Sequence, residues 1–445
     1  MSVEGALDAQ VQQTLREGYL ADPRNAIVRH AMSRNSIAEV VFEPSAAVQT
    51  NLTFSTEIKT MPVTNQRASG RCWIFAGLNI LREIAAKKLG ITSQFELSQN
   101  YVSLFDKIEK ANFALESLIG LCQYSPNERV SMFILDNPVS DGGQWDMFTN
   151  LVKKYGLVPK DCFPETYQSN ATRESNAIIN AIIRDFAHKI YELNRKGKKS
   201  DIRPLKEKTI EVIYNLCLNA FGVPPTQFDF EYKDSKDKYH RETYTPLEFF
   251  EKFIGKEIDE YQSLINSPTE DKPFNKNFTI DYLGNVVEGK PINHLNVEME
   301  SMKNAILKQL AAGEPVWFGS DVGFFRDRDS YVWDDNAFDY LATLGVDICF
   351  DKGAMLDFRH SAMNHAMVIT GVDLVDGKPT KWKIENSWGE SGGSKGYYVM
   401  SASWFDRFVY QAVVKTKYLT REQAAACKRV PIHLNPWDPM GTLAD

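Results

Sequence analysis

The chain has 445 residues, 43% hydrophobic and 24% charged, close to the average soluble protein and enough to bury a sizeable core. Its 51 basic and 58 acidic residues leave a net charge of −7, without the basic footprint that general nucleic-acid binding needs. No run approaches the ~18 consecutive apolar residues of a membrane span. The opening Met1-Ser2-Val3-Glu4-Gly5 has no positive charge ahead of an apolar core, and the six cysteines (Cys72, Cys122, Cys162, Cys217, Cys349, Cys427) are scattered without CxxC spacing. These features predict reduced thiols in a cytoplasmic protein, with no metal, no cofactor and no membrane partner.

Residues 1–159 begin with Leu7, Val11, Leu15 and Tyr19 at helical spacing, followed by an irregular segment ending at Met61-Pro62-Val63. A polar loop, Thr64 to Arg71, precedes a helix from Cys72 to about Leu89, with Ile74, Leu78, Leu81 and Ala85 on its apolar face and Gly90 as its stop. Residues 96–120 read as helix, Asp141-Gly142-Gly143 as a turn, and Trp145 to Tyr155 as another helix. From about 160 to 290 the composition shifts to high charge and long helical patterns. Within this segment Thr245-Pro246-Leu247-Glu248 is a capping box ahead of Phe249, Phe250 and Phe253, and the basic run Asn194 to Lys199 reads as an exposed loop.

From 291 to 430 strands return: a helix from Met302 to Leu310, a strand Pro315–Gly319, a second at Ala366–Val372, the turn Asp376-Gly377 and a returning strand Lys381–Glu385. The tail, 431–445, contains Pro431, Pro436, Pro439 and Gly441 and is expected to be extended rather than helical. At ~3.3 Å per residue it could reach roughly 50 Å.

Chemistry concentrates in three places. Cys72 opens an amphipathic helix after a glycine-containing loop, where the positive end of the helix favours thiolate over thiol. His365 begins one strand and Asn386 ends the next, so a short turn places them side by side. A histidine paired with a thiolate generates the nucleophile and later protonates the leaving amine, and the asparagine amide oxygen fixes the imidazole. Gln66, ahead of Cys72, is positioned to donate to an oxyanion together with the Cys72 backbone N–H.

Gln66 to Ala76, Asn364-His365-Ala366 and Asn386-Ser387-Trp388-Gly389 resemble the three signature blocks of papain-like peptidases. The cysteine block departs from the family pattern at Ser69, where a cysteine is usual, and at Arg71, where a small residue is usual; the missing cysteine fits a reducing compartment. Cysteine and histidine stand much farther apart than the family's usual ~130–150 residues. A papain core with a large helical insertion is similar to the bleomycin hydrolase and aminopeptidase C family, and Asp438-Pro439-Met440-Gly441-Thr442-Leu443-Ala444 resembles that family's tail.

The resemblance implies an α+β papain-like fold with a helical lobe (1–159), an insertion (160–290), a β lobe (291–430) and a tail (431–445) reaching the active site. It implies a homohexamer acting on peptide substrates, with Gly142 and Gly143 as the substrate-binding strand and Ala444 and Asp445 near the free amino group of the peptide. Trp388 is expected to pack over the His–Asn pair. Asn364 is placed with the substrate-binding residues, its alternative being to satisfy backbone groups. The rival functions are a cysteine endopeptidase, a transferase using the same acyl-enzyme, and a non-catalytic scaffold; the presence of Cys72, His365, Asn386 and Gln66 together disfavours the last.

Overall fold

A computed structural model of the chain describes residues 5–45, 50–92, 94–326 and 331–444. The helix Cys72–Leu89 lies where the sequence places it and ends on Gly90 in the left-handed region. Its first three turns, Cys72 to Arg82, are buried on every side, so it is a central helix rather than a one-faced one. It packs against the strand His365–Val375.

On one side of this helix stands the helical lobe, built on Gln99–Leu121 and Trp145–Tyr155. The long helices Arg173–Arg195 and Ile202–Phe221 of the 160–290 segment pack on Gln99–Leu121, and Ile179, Ile183, Ile190, Ile213 and Phe221 join the same hydrophobic core as the lobe. The capping box at Thr245 and Glu248 forms as expected, and Phe249 and Phe253 anchor its helix under the hairpin Phe228–Lys233/Tyr239–Tyr244.

On the other side is a mostly antiparallel sheet of eleven strands among the described residues. Its central strands run in the order Tyr261–Ile265, Val409–Lys415, Val316–Ser320, His365–Val375, Lys378–Glu385 and Tyr397–Ser401. The sheet takes strands from earlier in the chain than the composition indicates: the short Thr56–Glu57 pairs with His365–Val375, and Tyr261–Ile265 and Lys276–Ile280 lie inside the charged segment. All five residues of Tyr261–Ile265 are buried, and a strand covered on both faces lacks the polar–apolar alternation that would reveal it. The hairpin between His365–Val375 and Lys378–Glu385 turns on Asp376 and Gly377, both with positive φ (51° and 75°), the pairing required by a two-residue type I′ turn.

The two ends of the chain differ. The helix Ala9–Ala21 buries none of its residues. The tail is not extended throughout: Ile432–Leu434 pairs in parallel with Lys276–Ile280, and Pro439–Ala444 forms a 3-10 helix. Asp438 accepts from the Met440 N–H through its side chain (2.9 Å) and from the Gly441 N–H through its carbonyl (2.9 Å). Proline at the first position of a helical turn sacrifices no hydrogen bond, so Pro439 opens the turn instead of preventing it. Among the described residues no helix is long and apolar enough to cross a membrane.

Candidate active site

Cys72 is the first residue of its helix and only 4% exposed. Its Sγ accepts a hydrogen bond from the Ala366 N–H at 3.4 Å, which seats the thiol against the start of the histidine strand. Burial pushes the thiol up to about 11, while the N–H groups of Ala366, Trp73 and Cys72 itself pull the other way. His365, 5% exposed, is pushed down by burial to about 4. Each shift is the cost of creating one charge alone. A proton passing from sulfur to imidazole creates both charges together, and their attraction across a low-dielectric contact offsets the two penalties.

The tautomer of His365 follows from its neighbours. The Ser387 N–H can only donate, and it donates to Asn386 Oδ1 at 2.8 Å. That fixes which end of the Asn386 amide is oxygen, and the same oxygen lies 2.9 Å from His365 Nε2. Nε2 therefore carries the proton, and Nδ1 keeps its lone pair. Trp388 stacks on the imidazole, with ring centroids 4.9 Å apart and planes inclined by 24°. It covers the His365–Asn386 bond, and exclusion of water strengthens that bond.

Gln66 is held at both ends of its amide. The Ser387 hydroxyl donates to its Oε1 (2.6 Å), and its Nε2 donates to the Ser69 carbonyl (2.7 Å), leaving one further N–H on Nε2.

The Gly142–Gly143 segment is covered by the tail. The Gly143 N–H donates to the Leu443 carbonyl at 3.0 Å, and the Ser140 hydroxyl donates to the Ala444 carbonyl. A Cβ on Gly142 would stand 2.3 Å from the Leu443 oxygen, so only glycine admits the tail this closely. Thr442 donates to the Met363 carbonyl (2.8 Å), and Asp438 pairs with Lys272 (2.9 Å). Asp445 lies outside the described residues. Asn364 spends its side-chain amide on the loop that follows the strand Val316–Ser320: Oδ1 accepts from the Val322 N–H (2.9 Å) and Nδ2 donates to Asp321 (2.6 Å).

This arrangement has close parallels. The sequence matches the Peptidase C1-like family over residues 6–441. The chain belongs to the Peptidase C1-like family. It is 42% identical to an aminopeptidase C of Listeria monocytogenes over 95% of this chain and 96% of that one, and 36% identical to human bleomycin hydrolase over the full length of both. The crystal structure of PepW from Lactobacillus rhamnosis superposes with a TM-score of 0.96 at 42% identity, covering 99% of each chain. The papain-like fold expected from the three signature blocks is therefore the fold of this chain.

Within the Peptidase C1-like pattern, the two departures in the cysteine block form a connected group. Arg71 Nε donates to the Ser69 hydroxyl (2.9 Å), Ser69 donates to the Gln66 carbonyl (2.6 Å), and the Arg71 guanidinium pairs with Glu165 (3.0 Å). Sequence reasoning did not find the polar support beneath the glycines. Lys107 Nζ donates to Ser140 O and Asp141, and Lys110 donates to Ser140 O and Gly142 O. The available signal is a pair of lysines three apart on a helix otherwise rich in buried residues. Nor did it find the double role of Ser387, whose hydroxyl holds Gln66 while its N–H holds Asn386.

Proposed function

We propose that the chain is a cysteine aminopeptidase that removes residues from the free amino ends of peptides, with Cys72 as nucleophile, His365 as general base and acid, Asn386 as the group that orients it, and Gln66 as oxyanion donor. The observation that carries this reading is the Ser387–Asn386–His365 hydrogen-bond chain, which leaves Nδ1 free of a proton, in a strand whose next residue, Ala366, donates to the helix-terminal thiol. Nδ1 takes the Sγ proton, and the thiolate attacks the peptide carbonyl carbon. The carbonyl electrons move to oxygen, which meets Gln66 Nε2–H and the Cys72 N–H. The imidazolium gives its proton to the leaving amine as the C–N bond breaks. Water, deprotonated by the same imidazole, then releases the acyl group from the thioester.

The position of the tail supports exopeptidase action. Leu443 and Ala444 hold the edge at Ser140 and Gly143, which would otherwise take peptide residues on the amino-terminal side of the scissile bond. A peptide must therefore begin close to Cys72, with Gly142, Gly143 and Ala444 around its amino end and Trp388 walling the site. The uncovered apolar residues of the first helix, including Leu15 (61% exposed) and Leu20 (60%), suit burial against further copies, in keeping with a homohexamer. Free thiols at all six cysteines suit the cytoplasm.

The decisive experiment is cleavage of one peptide in free and N-acetylated forms by wild type, Cys72→Ala and a variant ending at Gly441. Wild type should cut only the free form, Cys72→Ala neither, and the shortened variant both. Cutting of the acetylated peptide by wild type would make the enzyme an endopeptidase and remove the tail from the account.

A further inference from the structure

Glu385 immediately precedes Asn386, yet its side chain points away from the reaction into a junction of four chain segments. The carboxylate is buried, with 1% of the side chain exposed, as is its partner Arg82. Oε1 accepts from Arg82 Nη2 (2.9 Å) and from Asn79 Nδ2 (2.9 Å), both on the helix that begins with Cys72. Oε2 accepts from the Thr60 hydroxyl (2.6 Å). Thr60 spends its only hydrogen there, so the Tyr397 hydroxyl, 3.0 Å away on the next strand, donates to Thr60 in turn.

Arg82 and Asn79 extend the junction toward the oxyanion loop. The Arg82 guanidinium donates to the carbonyls of Pro62 (2.9 Å) and Met61 (3.1 Å), and Asn79 Nδ2 also donates to Thr64 Oγ1 (3.2 Å). Residues 60–64 lead directly into Asn65 and Gln66. One carboxylate therefore joins the three pieces of backbone that carry Gln66, Cys72 and Asn386. The Gln66 loop runs directly into the Cys72 helix, whereas the strand that leads to Asn386 comes from far along the chain; the helix belongs to one lobe and the strand to the other.

We infer that Glu385, acting with Arg82, is a positioning residue that sets the placement of Asn386 relative to the Cys72 helix and the Gln66 loop. The inference rests on the roles proposed above for those three residues. A buried carboxylate with three directed donors has one geometry. A shift of the strand end by a fraction of an ångström would move Asn386 Oδ1 and misorient the His365 ring, and displacements near 1 Å cost about 100-fold in rate. Among the described residues the Gly142–Gly143 side has no hydrogen bond to this junction, so ground-state binding there is spared.

The test is the near-isosteric Glu385→Gln, assayed beside Cys72→Ala on an aminoacyl arylamide, with a melting curve to confirm folding and the pH dependence of Cys72 alkylation by iodoacetamide. The expected result is a kcat lower by roughly 10- to 100-fold, KM within about threefold, and slower alkylation near pH 6 because the imidazole no longer meets the thiol. The double variant Arg82→Gln/Glu385→Gln should be no worse than Glu385→Gln, since it removes a buried guanidinium left with only the longer pairing to Glu83 (3.4 Å). A folded Glu385→Gln with wild-type kcat and alkylation would overturn the inference, because a merely structural residue would lower the melting temperature alone. Should Glu385→Gln fail to fold, Thr60→Val decides on the same two readouts: a lower kcat supports the inference, an unchanged one refutes it. Activity surviving in Cys72→Ala would instead remove the proposed chemistry, and this inference with it.

Discussion

Two buried histidines lie in the same sheet, His365 and His294, 5% and 1% exposed. Burial depresses both, to about 4 and about 3, and each has one ring nitrogen engaged with a neutral side chain: His365 with Asn386 and His294 with Ser263 at 2.8 Å. They differ at the other nitrogen. The residue after His365, Ala366, donates its N–H to the Cys72 thiol, and in the mechanism proposed above the second nitrogen of His365 takes that thiol's proton and gains it as counter-ion. Nε2 of His294 is buried without a hydrogen-bond partner among the described residues. A depressed imidazole therefore does not by itself mark a catalytic one; the mark is a second ionisable group that can take the opposite charge in the same step.

Substitution separates the two most sharply. His365→Ala should lower kcat by about 1,000-fold, the scale of a lost general base and acid, while leaving the melting temperature nearly unchanged. It should also move the pH dependence of Cys72 alkylation upward, toward the burial-raised thiol value of about 11, because no imidazole remains to share the proton. His294→Ala should do the reverse, costing about 3 kcal/mol of stability through a core cavity with normal kcat in the folded fraction. Steady-state kinetics beside urea unfolding checks both; a catalytic defect in folded His294→Ala would dissolve the distinction.

The sequence marked the residues proposed to react but not what holds them. Cys72, the Asp376-Gly377 turn and the two strands it joins are legible because a helix start, a type I′ turn and a short hairpin are local events. The strand at 261–265 is not, since its partner Val409–Lys415 comes from far along the chain and burial on both faces erases alternation, and the strand at 276–280 alternates over too few residues to stand out within a charged segment. The helical turn at 439–444 was hidden for a different reason: prolines argue against a helix interior but not against its first position. Asn364, placed among substrate-binding residues because it adjoins His365, turns its amide onto Asp321, a partner that only the folded sheet brings near. Glu385 looked like a strand end because nothing adjacent in the chain announces Arg82.

Acid sensitivity extends the comparison at smaller scale. Above pH 6.5, the ordinary histidine value, His294 is neutral folded or unfolded and contributes no pH dependence. Below it, the unfolded chain accepts a proton that the fold refuses down to about pH 3. Stability then falls by about 1.4 kcal/mol per pH unit from this residue. Asn cannot titrate, so His294→Asn should unfold less steeply with acid across this window than wild type. Urea midpoints at several values between pH 7 and pH 4.5 test this, and parallel slopes would sink it.

The smallest expected effect concerns the indole over His365. Trp388 meets the ring at 24°, close to parallel stacking, and such aromatic contacts are worth about 1 kcal/mol beyond the area they bury. Phenylalanine keeps a flat ring but covers less of the His365–Asn386 bond, so Trp388→Phe should lower kcat about fivefold, the equivalent of ~1 kcal/mol, with KM and melting temperature nearly constant. Trp388→Ala opens the bond to water and should cost more. Among the described residues no aromatic ring stacks on His294, so the same pair of substitutions also asks whether stacking matters because it excludes water from a bond that carries a proton. Equal activity in Trp388→Phe and Trp388→Ala, both below wild type, would show that shielding by an aromatic face is not what the tryptophan supplies.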